Sequence, residues 1–474
     1  MPGPCGDGLV DQALLQRTVT VRPVTTGPHI TLSAAVAALA AGIKVAGTGF
    51  RSGEHARLSL PGHRLATVTA GPKGGSARTP VQVPSTFVFG LTVITATGTA
   101  SGRSATAPLY ITGPWLMLGH DPQRTSDQPN DHVLSEEVTP GKPYRMTPYF
   151  VYSAAAPIDS SPAVADQLAF VGDNSGTLSA IHIGTGGLAW SRTVGGAVSS
   201  SPAVDTAARL VVVGSSNNTV SAYAEKTGKL AWTMTTGGPV RSSPVIYRGV
   251  VYVGADDHKL YAIAENTGRV RWTATVAGPV HGSPAFDPAR STIVVADGSG
   301  TVTAFHVGAR SPSRRWHATV GRAVENSPII ALGRVLVGAK NGTVSSLSES
   351  TGARNWSKSL GNTSITGSMA YQARHLYVGT ANGRLTALHA GDGSTMWSEP
   401  LAGPVTGISV TAGMLFTESS NGTVTGLRIG GEVVWLAKTG AGLGGSPVIM
   451  DNSVFVGAED NGLYCFTPFG EPVV

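Results

Sequence analysis

The stretch Ser242–Trp272 reads SSPVIYRGVVYVGADDHKLYAIAENTGRVRW. Asp256, Asp257 and His258 make a tight polar turn, and Asn266, Thr267 and Gly268 turn the chain again. Four short strands lie around these turns: Pro244 to Tyr247, Val250 to Val253, Lys259 to Ala264 and Val270 to Thr275. The apolar, β-branched run Val250 to Val253 suits a strand buried on both faces. No helical period runs through the unit. Four antiparallel strands in about forty residues is the size of one propeller blade.

The unit recurs. Trp190, Trp232, Trp272, Trp316, Trp356, Trp397 and Trp435 are spaced about forty residues apart, a period that belongs to solenoids, propellers and arrays. Ser-Pro opens the units at Pro162, Pro202, Pro244, Pro284, Pro328 and Pro447, with Met369 and Ser409 in two degenerate starts. There are more starts than tryptophans. Each Trp precedes the next start by about twelve residues, and the same step back from Pro162 lands on Phe150. Met146 to Tyr152 is therefore expected to be the outer strand of the last blade, which otherwise ends one strand short. Such a closure removes exposed sheet edges. The expected fold is all-β: an eight-bladed propeller of four-stranded antiparallel blades over residues 144–474.

The run Ala222-Tyr-Ala-Glu-Lys-Thr-Gly228-Lys-Leu-Ala-Trp232 resembles the tryptophan-docking motif of PQQ-like (quinoprotein-like, BamB-like) β-propellers. Ala262, Gly268 and Trp272 match again, as do Ala180, Gly186, Trp190 and Ala387, Gly393, Trp397. The resemblance implies that each indole packs between the motif Ala and a Gly peptide of a neighbouring blade. Phe150 and the seven tryptophans are then structural docking residues. Ser346, Gly426 and Cys465 take the place of the Ala in three units, which makes Cys465 a small core residue. The Asp that the family favours two residues after the Ala is missing throughout. His182, His306 and His389 stand at three of those positions, on different blades, and do not converge on a metal.

Relatives that are quinone-dependent dehydrogenases use PQQ, calcium, an adjacent cysteine pair and an indole floor. Only Cys5 and Cys465 exist here, the tryptophans other than Trp115 are committed to docking, and the units lack insertions for a cap. No H-E-x-x-H, G-x-S-x-G or P-loop is present. The acidic turns at Asp173, Asp297 and Glu459 lack the spacing of a calcium loop and read as hairpin turns. The reading is non-catalytic, with no cofactor and no metal.

One column breaks the repetition. Three residues before each Pro position stand Asp159, Ser199, Arg241, His281, Glu325, Thr366, Thr406 and Gly444. On first strands around a ring they form a polar collar at one channel mouth, the candidate binding site for a small polar ligand or a peptide loop.

The front of the chain differs. Residues 1–28 form a tail without pattern. Residues 29–113 hold short strands in numbers that suit a small β-sandwich. The motif GTGFRSGE (Gly47–Glu54) and TATGTASG (Thr95–Gly102) resemble bacterial Ig-like stalk domains, which implies a spacer. Residues 114–143 resemble the lead-in found before many PQQ-like propellers and are expected to lie against the ring. Ile30 to Ile43 is too short to span a bilayer, and no signal peptide is evident. Formal charge is +6 with no basic run, which argues against nucleic acid. The leading expectation is a monomeric binding scaffold that is secreted, periplasmic or on the cell surface, with a protein or envelope polymer as partner. The alternatives are a quinoprotein dehydrogenase and an extracellular sensor domain.

Overall fold

The computed structural model of the chain describes residues 28–32, 36–38, 42–60, 63–71, 78–82, 90–112, 127–128 and 143–466, apart from 309–310, 366, 412 and 451–452. The chain divides into two compact units, Gly8–Gly113 and the remainder.

In the first unit, a three-stranded and a five-stranded sheet share one core containing Ile30, Val45, Leu58 and Ile94. Strand His55–Leu60 alternates exposed and buried residues, as one covered face requires. The two sequence motifs meet at Glu54. Its carboxylate accepts hydrogen bonds from the backbone N–H of Arg51, Ala100 and Ser101, at 3.0, 3.0 and 2.5 Å. Hydrogen bonds from Ser101 and these amides hold its pKa down at about 2. The motif residues thus clamp two loops together.

The second unit is all-β and forms a propeller. Eight sheets each contain four antiparallel strands in radial order. We number these blades 1 to 8 from the first strand, Ala163–Ala165. In blade 3 the strands are Val245–Tyr247, Val250–Ala255, Lys259–Ala264 and Val270–Thr275, close to the sequence expectation. The second strand is buried along its whole length.

Blade 8 takes its outer strand, Pro148–Ser153, from before blade 1. Phe150 stands opposite Cys465, as Trp232 stands opposite Ala222. The expected strand Met146–Tyr152 needs correcting, because the chain serves two blades there. Tyr144–Met146 pairs in parallel with the outer strand of blade 7, Val433–Lys438, and Met146 is buried in the core that holds Trp435. Cys465 is fully buried as expected, but it is disulfide-bonded rather than a plain small core residue. The sequence holds one other cysteine, Cys5.

The indoles lie in the seams between blades. A Cβ added to Gly228 would stand 2.6 Å from the Trp190 ring, and one on Gly268 would stand 2.7 Å from Trp232. Gly352, Gly393 and Gly431 meet Trp316, Trp356 and Trp397 in the same way, and Gly186 meets Phe150. Gly228 and Gly268 have φ of 64° and 68°, which glycine adopts without strain. Five of the indole N–H groups are satisfied from the next blade: Nε1 of Trp190, Trp232 and Trp316 donates to the carbonyl oxygens of Glu225, Glu265 and Glu349 at 2.8, 2.5 and 2.7 Å, and Trp356 and Trp397 donate to those of Ala390 and Ile429, whereas the buried Nε1 of Trp435 has no partner among the described residues. A β-bulge follows the Ala opposite each of these tryptophans. Burying one indole removes roughly 150–250 Å² from water, a gross gain of roughly 4–6 kcal/mol before chain entropy.

The Ser-Ser-Pro starts have two separate jobs. The first serine ties its own blade: Ser242 Oγ donates to the carbonyl of Gly254 and accepts from its N–H, both at 2.8 Å. The second serine ties neighbouring blades. The N–H of Ser161 donates to Ser201 Oγ, Ser201 to Ser243, Ser243 to Ser283 and Ser283 to Ser327, at 2.7–3.0 Å. Ser446 of blade 8 donates to Ser161 of blade 1 at 2.7 Å, which ties the last blade to the first.

The seam can be tested with two glycines of matched φ. Gly268 contacts an indole, whereas a Cβ on Gly249 (φ 73°) would meet only a Glu265 oxygen at 4.0 Å. Gly249→Ala is expected to cost about 1–2 kcal/mol, the left-handed penalty alone. Gly268→Ala is expected to cost about 1–3 kcal/mol more, because the ring must move. Equal losses in chemical denaturation would show that the indole seam does not restrict this position.

Candidate functional site

Strand alternation sorts the turns. The start of every first strand and every turn between second and third strands point to one end of the ring; the other two turns point to the opposite end. Collar residues therefore share their end with the second-to-third turns. Backbone bonds join the two sets: the N–H of Asn174, Asp256 and Lys340 donate to the carbonyls of Pro157, Pro239 and Ala323.

The structure brings three collar residues into one charged chain across blades 3 to 5. Arg241 Nε donates to Asp256 Oδ2 at 3.1 Å. His281 Nε2 lies 3.2 Å from Asp256 Oδ1, and His281 Nδ1 lies 4.0 Å from Glu325 Oε1. Glu325 Oε1 pairs with Lys340 Nζ at 2.5 Å. These side chains remain 20–53% exposed, so the chain is a solvated arc and not a buried network. Asp256 reads from sequence as a turn residue, and Lys340 is not singled out there. They form a second variable column directly after the second strand, and that variation was the available signal.

The other collar residues are not gathered into this arc. Asp159 Oδ2 accepts from Asn174 Nδ2 at 2.7 Å, beside the bare Gly444 of blade 8. Ser199 is half-buried on blade 2. Thr406 of blade 7 has a buried hydroxyl without a hydrogen-bond partner among the described residues. Thr366 lies outside the described residues. The acidic hairpins cap their own turns: Asp173 Oδ1 accepts from Ser175 N–H and Thr177 N–H, and Asp297 Oδ1 does the same for Ser299 and Thr301.

Blade 7 departs from its neighbours. Where other blades have glycine before the second-to-third turn, as at Gly254 and Gly338, it has Glu418. The opposing residue is Gly407, which leaves room for the larger side chain. Glu418 is fully buried and neither oxygen finds a partner among the described residues, so desolvation pushes its pKa well above the carboxylate range.

The opposite end of the ring also holds buried carboxyls. Glu265 and Glu349 lie at the seams, each beside an Asp of the preceding blade, Asp205 and Asp287. Burial first, and then the neighbouring carboxylate, pushes each up to about 7.

The ring is a β-propeller of the PQQ and BamB-like type. A family model described as "Beta-alanine-activating enzyme, beta-propeller" matches residues 155–468, and the chain belongs to that family. No curated protein sequence matches the chain. BamB from Moraxella catarrhalis is similar in structure, with 17% identity and a TM-score of 0.60 over 68% of this chain and 99% of that one. Quinohemoprotein alcohol dehydrogenase from Comamonas testosteroni gives 15% identity and a TM-score of 0.65, covering 76% and 81%. A europium-containing methanol dehydrogenase gives 14% and 0.64, covering 75% and 98%. At these identities the likeness is one of fold.

The described residues do not gather the donors that a quinone with its metal would need. Among the described residues no three His, Cys, Asp or Glu side chains are placed to hold a metal ion. The indoles that the fold would offer as a floor are turned into the seams. No helix among the described residues is long and apolar enough to cross a membrane.

The raised carboxyls give a pH prediction. A folded pKa near 7 against 4.5 unfolded means that the folded state holds extra protons between these values. Their favourable protonated contacts are complete below the unfolded pKa and are lost as pH rises through about 7. The melting temperature should fall between about pH 5 and about pH 8, and Glu265→Gln with Glu349→Gln should flatten that slope. An unchanged slope in the double variant would refute the assignment.

Proposed function

We propose that the propeller is a non-catalytic binding scaffold of the cell envelope or surface and that its collar end grips a protein loop or an envelope polymer. The observation that carries this reading is the arc Arg241–Asp256–His281–Glu325–Lys340. It carries both signs of charge, with the His281 ring between Asp256 and Glu325, it is solvent-accessible, and it stands beside first strands tied together by serine hydrogen bonds. Rigid mounting of exposed polar groups limits the entropy lost on binding. Both signs side by side favour a partner with paired charges, such as a peptide loop carrying both an acid and a base.

The dehydrogenase reading is the weaker one, because no metal-holding group of side chains is placed among the described residues and the two cysteines are not adjacent in sequence. A sensor module would use the same collar.

Two measurements test the proposal. Partners crosslinked to the wild-type ring in native envelope are expected to be lost from the Arg241→Ala, Glu325→Ala double variant, with melting unchanged. A partner set that survives the double substitution removes the collar from consideration. Dye-linked dehydrogenase turnover after adding PQQ and calcium would overturn the non-catalytic assignment.

A further inference from the structure

The end of the ring opposite the collar is strongly basic, although the sequence has no basic run. Folding gathers cations there from turns far apart in the chain. Arg209, Arg248 and Arg374 sit in the turns between first and second strands and are exposed; Lys229 and Arg269 are exposed beside the turns between third and fourth strands. Arg334 opens the second strand of blade 5 at the same end. None of these makes an ion pair among the described residues.

The acids at this end in blades 2 to 5 are turned inward. Glu225, Glu265, Glu349 and Asp287 are 0–5% exposed, and Asp205 is half-buried against two backbone amides. Burial raises the pKa of all three glutamates, and that of Glu265 and Glu349 to about 7, which reduces the negative charge of those two near neutrality. Exposed acids at this end are Asp166, which pairs with Lys226, Glu432, which pairs with Arg428, and Asp392, so among the described residues the exposed cations outnumber the exposed acids.

Apolar residues share this end. Leu188, Leu230 and Val270 begin the outer strands of blades 1, 2 and 3 and are 45–52% exposed; Leu332, in a blade 5 turn, is 56% exposed. Large aliphatic side chains beside free guanidinium groups suit a surface with an anionic layer over an apolar one. A soluble polyanion offers nothing to the aliphatic groups. Arginine also matches phosphate oxygens in paired hydrogen bonds.

We propose that this end of the propeller docks peripherally on an anionic phospholipid bilayer, with the collar held away from it. The test is co-sedimentation of the full chain with vesicles of phosphatidylcholine containing about thirty per cent phosphatidylglycerol. Binding is expected there and not on pure phosphatidylcholine, and it should weaken steeply toward about 1 M salt. Arg209→Gln with Arg248→Gln and Arg269→Gln should lower the partition coefficient roughly a hundredfold, at roughly fivefold per charge. Arg334→Gln with Arg374→Gln, on other blades, should lower it roughly twenty-fivefold and serves if the triple variant misfolds. Leu230→Ser with Val270→Ser should weaken vesicle binding while leaving retention on soluble polyphosphate unchanged. Equal binding to neutral vesicles, or full vesicle binding by the folded arginine variants, overturns the proposal. So does binding of polyphosphate without any binding of vesicles.

Discussion

The ring depends on one contact, an indole laid against a left-handed glycine of the next blade. A propeller must repeat the same blade-to-blade step until it closes, so the step has to be set by something rigid. The indole is rigid, and its N–H fixes it to a carbonyl in the turn that also carries the glycine. Any Cβ at that glycine would enter the ring. Size, direction and polarity are therefore specified by one turn, and the sheets supply the span between seams. Blade 7 shows the contact under strain of composition. Gly426 stands where others have Ala, and a Cβ there would lie 2.3 Å from the Trp435 ring. The indole has moved into the space that the methyl leaves.

What could be read from the sequence was what local chemistry controls. Strand positions in blade 3 follow from turn residues and β-branched runs only a few residues apart. Phe150 was legible as a seam residue because its distance from Pro162 repeats that of every tryptophan. The first-strand column at the collar was legible as a break in repetition. Its wiring was not: Asp256 reads as hairpin chemistry until ring geometry sets it against His281 of the next blade. The Glu265–Asp205 pair joins residues sixty positions apart, and nothing local marks either one. Tyr144–Met146 escaped notice because a parallel edge pairing leaves no turn signal.

Alternating strands give a repeat protein two chemically independent ends. At the collar end, cations and anions meet in solvent and pair with each other. At the other end, the acids of blades 2 to 5 go into the seams while most of the cations stay outside. A charge of +6 spread through the whole sequence thus becomes an asymmetry across the ring. Composition reports the sum and is blind to the separation, since successive turns send their residues to opposite ends.

Blade 7 shows how closure tolerates a defective unit. Ile408 replaces the bridging serine, and the start residue is Ser409 instead of proline. The first strand runs unbroken over Val405–Thr411, where other blades have three residues, blade 6 included although Met369 replaces its proline too. A longer first strand presents more unpaired backbone on the channel side. Asp127–Gln128 takes up part of it by pairing in parallel with Val410 and Thr411, and Tyr144–Met146 covers the outer edge of the same sheet. Ser368 of blade 6 meets Ser446 of blade 8 at 2.5 Å and accepts from Ile408 N–H, so the hydroxyl ring bypasses the missing serine. The segment before the ring therefore does two kinds of closing: it completes blade 8 with a strand, and it braces the blade whose own sequence has lost the means to hold its neighbours.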